Sequence, residues 1–172
     1  MQNQNKTKKN FLPATSYKLV ALILLIVLAV TSTLSIRLYA VSGASMEPTF
    51  QDSAHLVVDK LFWYVGIKRG DILVFTNPHQ TSQIDVKRVI ALPNETVKVD
   101  DNSVTIVRAD KSEEVFPERS KIGREGNGTQ YEMHLGAEDY FMMGDNRRAS
   151  TDSRNFGAVQ PVNIIGRIVW SF

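Results

Sequence analysis

The sequence predicts a mostly β domain of antiparallel strands preceded by one apolar N-terminal helix. Residues 19–36 carry no charge, whereas the segments after residue 45 are short, rich in β-branched and aromatic residues, and separated by turn residues. No helical period of comparable length follows residue 45. About 130 residues follow the apolar run, which is enough for a single domain with its own core.

Residues 1–17 form a polar tail rich in Asn, Gln and Lys, a composition typical of disorder. Four of the 20 basic residues precede the apolar run, and no acidic residue accompanies them. The remaining 16 basic residues face 18 acidic ones, which argues against a nucleic-acid-binding domain. The basic flank instead predicts a cytoplasmic N-terminus and a folded domain on the other side of a membrane.

The apolar run predicts a transmembrane signal-anchor helix at residues 18–41, followed by an extracytoplasmic domain at residues 42–172. A helix of this length extends about 34 Å, against roughly 30 Å of hydrocarbon in a bilayer. A cleaved secretory signal is the alternative, because the small residues Ser42 and Ala44 resemble a cleavage site. The apolar core exceeds the ~7 to 15 residues usual in such signals, which favours a retained anchor.

The strands of the domain are predicted from short apolar runs bounded by turn residues. Asp101-Asn102 is predicted to close a hairpin, and Gly166 to mark a bulge in the last strand. Lys121–Gln130, which contains three glycines, is predicted to be a flexible loop. The predicted strands are His55–Val58, Asp71–Phe75, Ile84–Leu92, Thr96–Val107, Tyr140–Met143 and Ile164–Trp170.

Ser45 is the candidate nucleophile, because it follows the predicted end of the anchor by four residues, within about 13 Å of the membrane surface. The chain has no cysteine, so disulfides and thiol nucleophiles are excluded. Histidine is the usual base for a serine, but no histidine stands in a recognised catalytic signature. The second glycine of G-x-S-x-G is absent, and Pro48 occupies the lysine position of S-x-x-K. The three histidines are His55, His79 and His134.

A distant lysine is the remaining candidate base, and Lys87 interrupts an otherwise apolar strand. Taken alone, a lysine in a strand is more often a solvated side chain. At a pKa of ~10.4 only about one lysine in 2,500 is neutral at pH 7, and burial against apolar neighbours lowers that pKa. A third polar region, residues 143–154, directly follows an apolar strand and by itself fits a capped turn.

Together these segments resemble the bacterial type I signal peptidases of peptidase family S26, in their short, Gram-positive-like form. These are membrane-bound Ser/Lys endopeptidases with an antiparallel β fold related to that of LexA. Four ordered blocks carry the resemblance and are far more specific than any one of them. The blocks are Ser45-Met46-x-Pro48-Thr49 with upstream Gly43, Gly70-Asp71-Ile72-x-Val74-Phe75, Lys87-Arg88-Val89-Ile90-Ala91-Leu92-Pro93 and Gly144-Asp145-Asn146-Arg147-x-x-Ser150-x-Asp152-Ser153-Arg154-x-x-Gly157.

The resemblance implies that Ser45 is the nucleophile, Lys87 the general base and Ser150 a hydroxyl that helps to orient the lysine. Some relatives have, where Gly43 stands, a serine whose hydroxyl donates to the oxyanion. The oxyanion hole is therefore expected to use the Ser45 backbone N–H, together with the Gly43 backbone or another hydroxyl. Losing one donor typically costs ~2.7 to 4 kcal/mol, so a compensating group is expected. The residues implied to support the site are Asp145, Asp152 and Arg154.

The resemblance also implies an activity, namely removal of signal peptides from exported preproteins at the bacterial cell membrane, near the translocation machinery. Substrates would have small residues at the first and third positions before the cut, and no metal or cofactor would be needed. A self-cleaving Ser/Lys repressor is one alternative, against which the anchor argues, and a non-catalytic anchored β domain is another. The aromatic stretch Leu61–Val65 fits either a membrane-interface patch or the core.

Overall fold

The computed structural model describes residues 14–62, 65–100, 103–117 and 131–172. The chain divides into two compact units, one ending at Ser35 and one spanning Ile36–Phe172. The first contains helix α1 (Ala14–Leu34), which begins inside the predicted polar tail and ends before the predicted end of the anchor. In the part of the chain that is described, no helix combines the length and the apolarity needed to cross a membrane.

The segment after α1 corrects the predicted boundary of the anchor. Residues 36–40 were predicted to continue the helix, but they form strand β1 (Ile36–Ala40), paired antiparallel with β2 (His55–Asp59). The reason is a change of period, because Arg37 and Tyr39 alternate with apolar residues and such alternation fits a strand. The apolar run directly before it concealed this change.

The described residues of the second unit form two antiparallel sheets. After β2 the strands are β3 (Ile72–Thr76), β4 (Ile84–Ala91), β5 (Thr96–Val99), β6 (Val104–Val107), β7 (Glu113–Phe116), β8 (Tyr131–His134), β9 (Phe141–Met143) and β10 (Ile164–Ser171). A short helix α2 (Ser153–Phe156) and a 3₁₀ turn (Pro161–Asn163) precede β10. The larger sheet has the order β1-β2-β10-β3-β4-β9, and the smaller has the order β7-β6-β5-β8.

The predicted antiparallel β class is confirmed. So is the hairpin, since β5 pairs with β6, although its predicted turn at Asp101-Asn102 lies outside the described residues, as does the predicted loop Lys121–Gln130. The predicted bulge is confirmed directly before Gly166, since the register with β3 shifts between Ile164 and Gly166. A Cβ at this position would lie 2.5 Å from Val58 Cγ1, so the close strand approach requires glycine.

The core joins the two sheets and also fixes the segments that reach the candidate site. One apolar cluster combines residues of both sheets, among them Ile90 and Ile106. A second contains Phe62, which is fully buried, so this residue of the aromatic stretch belongs to the core. Leu61 and Val65 are exposed, and residues 63 and 64 lie outside the described part.

Candidate active site

Ser45 lies in the loop between β1 and β2, which we call the serine loop (residues 41–54). Its base is closed by two backbone hydrogen bonds of Val41, one to residue 53 and one to residue 54. Met46 and Phe50 are buried in a third apolar cluster, and the Phe50 N–H donates to the Met46 carbonyl at 3.0 Å. The Ser45 carbonyl accepts from the Asn146 N–H at 3.0 Å. The serine is therefore held from both sides while it stays partly open to solvent.

Lys87 lies in the middle of β4, which is hydrogen-bonded to β3 on one side and to β9 on the other. Only 3% of the residue is exposed. Its Nζ lies 3.1 Å from Ser45 Oγ and donates to the Val86 carbonyl at 3.1 Å. Two residues 42 positions apart in the sequence are thus brought into direct contact.

Burial lowers the pKa of Lys87 below its ordinary value, because the ammonium loses hydration. The carboxylates of Asp85 and Asp152 act in the opposite direction by stabilising the ammonium, and burial is the larger effect. The lowered pKa increases the neutral fraction of the amine, which is the form that accepts a proton from a hydroxyl.

A carboxylate that the sequence analysis did not single out also faces the lysine. Asp85 Oδ1 lies 3.8 Å from Lys87 Nζ. Asn77 Nδ2 and Gln83 Nε2 hold the carboxylate by donating to it at 2.8 and 3.0 Å. The two-residue spacing of Asp85 and Lys87 could have revealed this contact, because residues two apart on a strand lie on the same face.

Gly144 lies next to both Ser150 and the backbone of Ser45. A Cβ at residue 144 would lie 2.3 Å from Ser150 Oγ and 2.4 Å from the Ser45 carbonyl oxygen, so no larger residue fits. Ser150 Oγ is buried and has no hydrogen-bond partner among the described residues. The predicted contact between Ser150 and Lys87 is therefore not made in this structure, and the orienting role of Ser150 stays a prediction.

Asp145 ties the serine loop to β4. Arg88 donates to it through Nε at 2.7 Å and Nη2 at 2.6 Å, and the Thr49 hydroxyl donates to it from the serine loop. Arg88 Nη1 donates to the Gly70 carbonyl at 2.8 Å. Burial alone would raise the pKa of Asp145, but the hydrogen bonds from Arg88 and Thr49 and the nearby positive charges of Arg88 and Arg147 lower it.

Asp152 organises the segment that leads into α2. It is fully buried and accepts from Arg154 Nε and Nη2, both at 2.8 Å, and from the Gly144 N–H at 3.1 Å. It also caps α2, and Asn155 completes a capping box by accepting from the Asp152 N–H. The structure thus places Asp145, Asp152 and Arg154 around the Ser45–Lys87 contact as paired, hydrogen-bonded groups.

The backbone donors near Ser45 differ in whether they are free. The Gly43 N–H donates to Asp52 Oδ1 at 2.7 Å, so this N–H is occupied in this structure, and the use of the Gly43 backbone for an oxyanion stays a prediction. The Ser45 N–H has no acceptor among the described residues. It is therefore the donor available to an oxyanion that forms beside Ser45 Oγ.

The three histidines lie elsewhere in the domain. His55 packs edge-on against Phe172, His134 Nδ1 lies 3.0 Å from Thr96 Oγ1, and His79 is exposed. Among the residues described, none of them is hydrogen-bonded to Ser45. The same residues contain no cluster of three or more His, Asp or Glu side chains placed to hold a metal ion.

Comparisons with known proteins agree with the blocks found in the sequence. A family model described as "Signal peptidase, peptidase S26" matches residues 14–172. Signal peptidase I T of Bacillus subtilis (strain 168) is 38% identical over 153 residues, covering 82% of this chain and 78% of that protein. Signal peptidase I of Bacillus licheniformis is 36% identical over 152 residues, covering 82% of this chain and 81% of that protein.

A crystal structure of a signal peptidase I from Enterococcus faecalis V583 is 26% identical and gives a TM-score of 0.49, covering 60% of this chain and 97% of that one. At that score the likeness adds nothing to the fold described above. The family model and the Bacillus relatives confirm the resemblance found in the sequence. The chain belongs to the signal peptidase family, peptidase S26, and is an enzyme of the signal peptidase I type.

Proposed function

We propose that this protein is a membrane-bound serine endopeptidase that removes N-terminal signal peptides from exported preproteins, with Ser45 as nucleophile and Lys87 as general base. The observation that carries the proposal is the 3.1 Å distance between Ser45 Oγ and the nitrogen of a lysine that is almost fully buried. Membership of the signal peptidase family supports the substrate class.

The first half of the reaction transfers the peptide acyl group to the serine. Neutral Lys87 accepts the hydroxyl proton while Ser45 Oγ attacks the scissile carbonyl carbon. The resulting oxyanion accepts a hydrogen bond from the Ser45 N–H. The Lys87 ammonium then protonates the leaving amine, the C–N bond breaks, and an acyl-enzyme remains on Ser45.

The second half hydrolyses that ester. The lysine, neutral again, takes a proton from water, and the hydroxide formed attacks the acyl carbon. When the tetrahedral intermediate collapses, the lysine returns its proton to Ser45 Oγ, and the signal peptide leaves with a free carboxylate. Each half needs the amine in its neutral form, so both halves depend on the dry environment of Lys87.

The surrounding residues would keep this geometry fixed. Asp145 and its partners join the serine loop to β4, and the Asp152–Arg154 pair holds the segment behind Gly144. A base on a fixed rotamer favours proton transfer, because misplacement by even 1 Å is costly. Ser150, whose buried Oγ lies beside Gly144, would help to orient the lysine.

The proposal includes a single membrane span with a cytoplasmic N-terminus. Residues 19–28 of α1 are all apolar and all exposed, and ten consecutive residues cover every face of a helix. Such a surface is typical of a helix that contacts lipid. The lysines before it support the orientation. The active site would then face exported preproteins near the translocation machinery.

A cleavage assay across pH 6 to 11, using a preprotein with alanine at the first and third positions before the cut, tests the proposal. The wild-type rate should rise through an apparent pKa below ~10.4, the value of a solvated lysine. Ser45→Ala and Lys87→Ala should each lose activity by a factor of about 10³ or more. Lys98→Ala, which removes an exposed lysine on β5, is the matched control.

Full activity in either Ser45→Ala or Lys87→Ala would overturn the Ser/Lys mechanism. A wild-type protein that cleaves no preprotein at any pH would overturn the proposed activity. The membrane span has a separate test, since the wild-type chain should stay with membranes during alkaline carbonate extraction. A double substitution of Leu24 and Leu25 by Arg should release it, because two central charges are costly in hydrocarbon.

A further inference from the structure

The environment of Lys87 contains a carboxylate that a Ser/Lys pair does not need, that of Asp85. Asp85 and Lys87 are two residues apart on β4 and therefore share a face of the sheet. The lysine nitrogen lies 3.8 Å from Asp85 Oδ1 and 3.1 Å from Ser45 Oγ. It therefore lies between the hydroxyl whose proton it would accept and an anion that would stabilise the charge it then acquires.

The Asp85 carboxylate is held in place by the turn that joins β3 to β4. Asn77 is buried, its side-chain oxygen accepts from the backbone N–H groups of His79 and Gln80, and its Nδ2 donates to Asp85 Oδ2 at 2.8 Å. Gln83 donates to Oδ1 at 3.0 Å, the same oxygen that faces the lysine. Both carboxylate oxygens thus accept a hydrogen bond from this turn, and the buried Asn77 is itself anchored by backbone groups.

We propose that Asp85 is a positioning residue for the general base: its carboxylate orients the Lys87 nitrogen towards Ser45 Oγ and stabilises the ammonium that forms when the serine proton is transferred. The inference rests on the proposed Ser/Lys mechanism. Asp85 would not touch the substrate. Its role is similar to that of the aspartate in a Ser-His-Asp triad, which orients the base and stabilises its charged form.

This arrangement has opposite effects on the ground state and on the transition state. In the free enzyme the carboxylate favours the ammonium, so it keeps part of the lysine in the form that cannot act as a base. During proton transfer the same attraction stabilises the developing charge. Removing the carboxylate should therefore extend activity to lower pH and, at the same time, lower the maximal rate.

The other charged groups around Lys87 do not cancel this effect. Asp152, from the segment before α2, also stabilises the ammonium, but it is already bonded to Arg154 and to the Gly144 N–H. From β3 the residue opposite the lysine is Leu73, and on β9 the nearest paired residues are methionines. Asp85 is thus the carboxylate within ion-pair distance of the lysine, and its removal leaves the Asp152–Arg154 pair intact.

The test is the pH profile of preprotein cleavage by the full chain with Asp85→Asn, a substitution that keeps size and shape. We expect the acid limb of the profile to move to lower pH. We also expect kcat on the plateau to fall about tenfold, the worth of one pK unit of interaction, with KM unchanged. Asp85→Glu should restore part of the plateau. Glu132→Gln, at an exposed position of β8, is the charge-matched control and should change neither quantity.

A second measurement does not depend on cleavage. The titration of the Lys87 Cε resonance by NMR, in a Ser45→Ala background, should move to lower pH when Asp85 is replaced by Asn. An unchanged acid limb together with an unchanged Lys87 titration would overturn the inference, as would an equal loss of rate at every pH. Where the Asn variant does not fold, Asp85→Thr provides the same two measurements with a residue suited to a strand.

These outcomes also separate the inference from the proposed function. A wild-type protein that cleaves its preprotein, with an Asp85→Asn profile of unchanged shape, would leave the Ser/Lys activity standing and remove the role of Asp85. A wild-type protein that cleaves nothing would remove the proposed function. The NMR titration would then still decide whether Asp85 sets the charge state of Lys87.

Discussion

Two neighbouring cations on β4, Lys87 and Arg88, have opposite surroundings. Lys87 is almost fully buried, and its charge faces a carboxylate only at 3.8 Å. Arg88 points to the other face of the strand, where it makes two short hydrogen bonds to Asp145 and a third to the Gly70 carbonyl. The charge of Lys87 is thus only partly balanced by a carboxylate, whereas Arg88 has a bidentate carboxylate partner.

The difference shows how one strand can serve both chemistry and stability. A general base must be able to lose its charge, and it can do so only where the ammonium is poorly solvated and loosely paired. A structural cation must keep its charge, and an arginine with a bidentate carboxylate partner does so at any working pH. The Arg88–Asp145 pair stabilises β4 from one face, and Lys87 and Asp85 lie on the other face of the same strand.

The largest expected effect comes from removing the carboxylate partner of Arg88. Asp145→Ala should lower the free energy of unfolding by about 3 to 5 kcal/mol, because it leaves Arg88 poorly solvated and without its carboxylate partner. Denaturant unfolding measures this. Since the pKa of Asp145 is lowered in the folded state, its contribution is present above the ordinary pKa of an aspartate and is lost as pH falls through the lowered value.

The exposed pair of Lys98 and Glu113 provides the control for that measurement, because Glu113→Ala should cost no more than about 1 kcal/mol. Equal losses in Asp145→Ala and Glu113→Ala would contradict the structural role assigned to the Arg88 pair.

A smaller effect is expected at Gly144, which lies next to Ser150 and the backbone of Ser45. A methyl group there would collide with Ser150 Oγ and the Ser45 carbonyl oxygen, so Gly144→Ala should cost about 1 to 3 kcal/mol and displace the serine loop. Cleavage rates and thermal unfolding measured together would show both losses. Gly136→Ala, whose Cβ would meet only the Asp139 side chain, should be close to wild type in both.

The smallest expected effect is a gain in stability from removing the incompletely compensated cation. Lys87→Met should abolish cleavage yet raise the free energy of unfolding by about 1 kcal/mol at pH 7, because an apolar side chain avoids the cost of burying the ammonium. That cost is full below the lowered pKa of Lys87 and vanishes as pH rises above 10.5, so the gain should shrink in alkali. Lys98→Met, at an exposed position, should give no such gain; a Lys87→Met variant less stable than wild type would contradict this view of the site.

Local patterns predicted much of the domain. Alternation and turn residues found most strands of the two sheets, and the ordered blocks found Ser45 and Lys87, which the structure brings into contact. β1 was missed because its apolar residues continue an apolar run, so the change of period was hidden. β7 was missed because its two glutamates give it no apolar alternation.

The remaining features depend on contacts between residues far apart in the sequence. Asp52 accepts a hydrogen bond from the Gly43 N–H, nine residues away in the sequence, and Arg88 donates to Asp145, 57 residues away. No spacing rule predicts such pairs. Asp85 is different, since strand alternation alone places it on the same face as Lys87. It was missed because an aspartate in a strand is usually a solvated surface residue.

The order of strands in the larger sheet also separates the nucleophile from the base. The serine loop joins β1 to β2, whereas the lysine belongs to the β3–β4 hairpin, and β10 lies between β2 and β3. Each hairpin can form locally, but the pairings made by β10 span about a hundred residues and form slowly. Until β10 is inserted, nucleophile and base are held in separate halves of the sheet. β10 therefore connects the hairpin that carries the nucleophile to the hairpin that carries the base, and we expect a chain without β10 in place to have no working protease site.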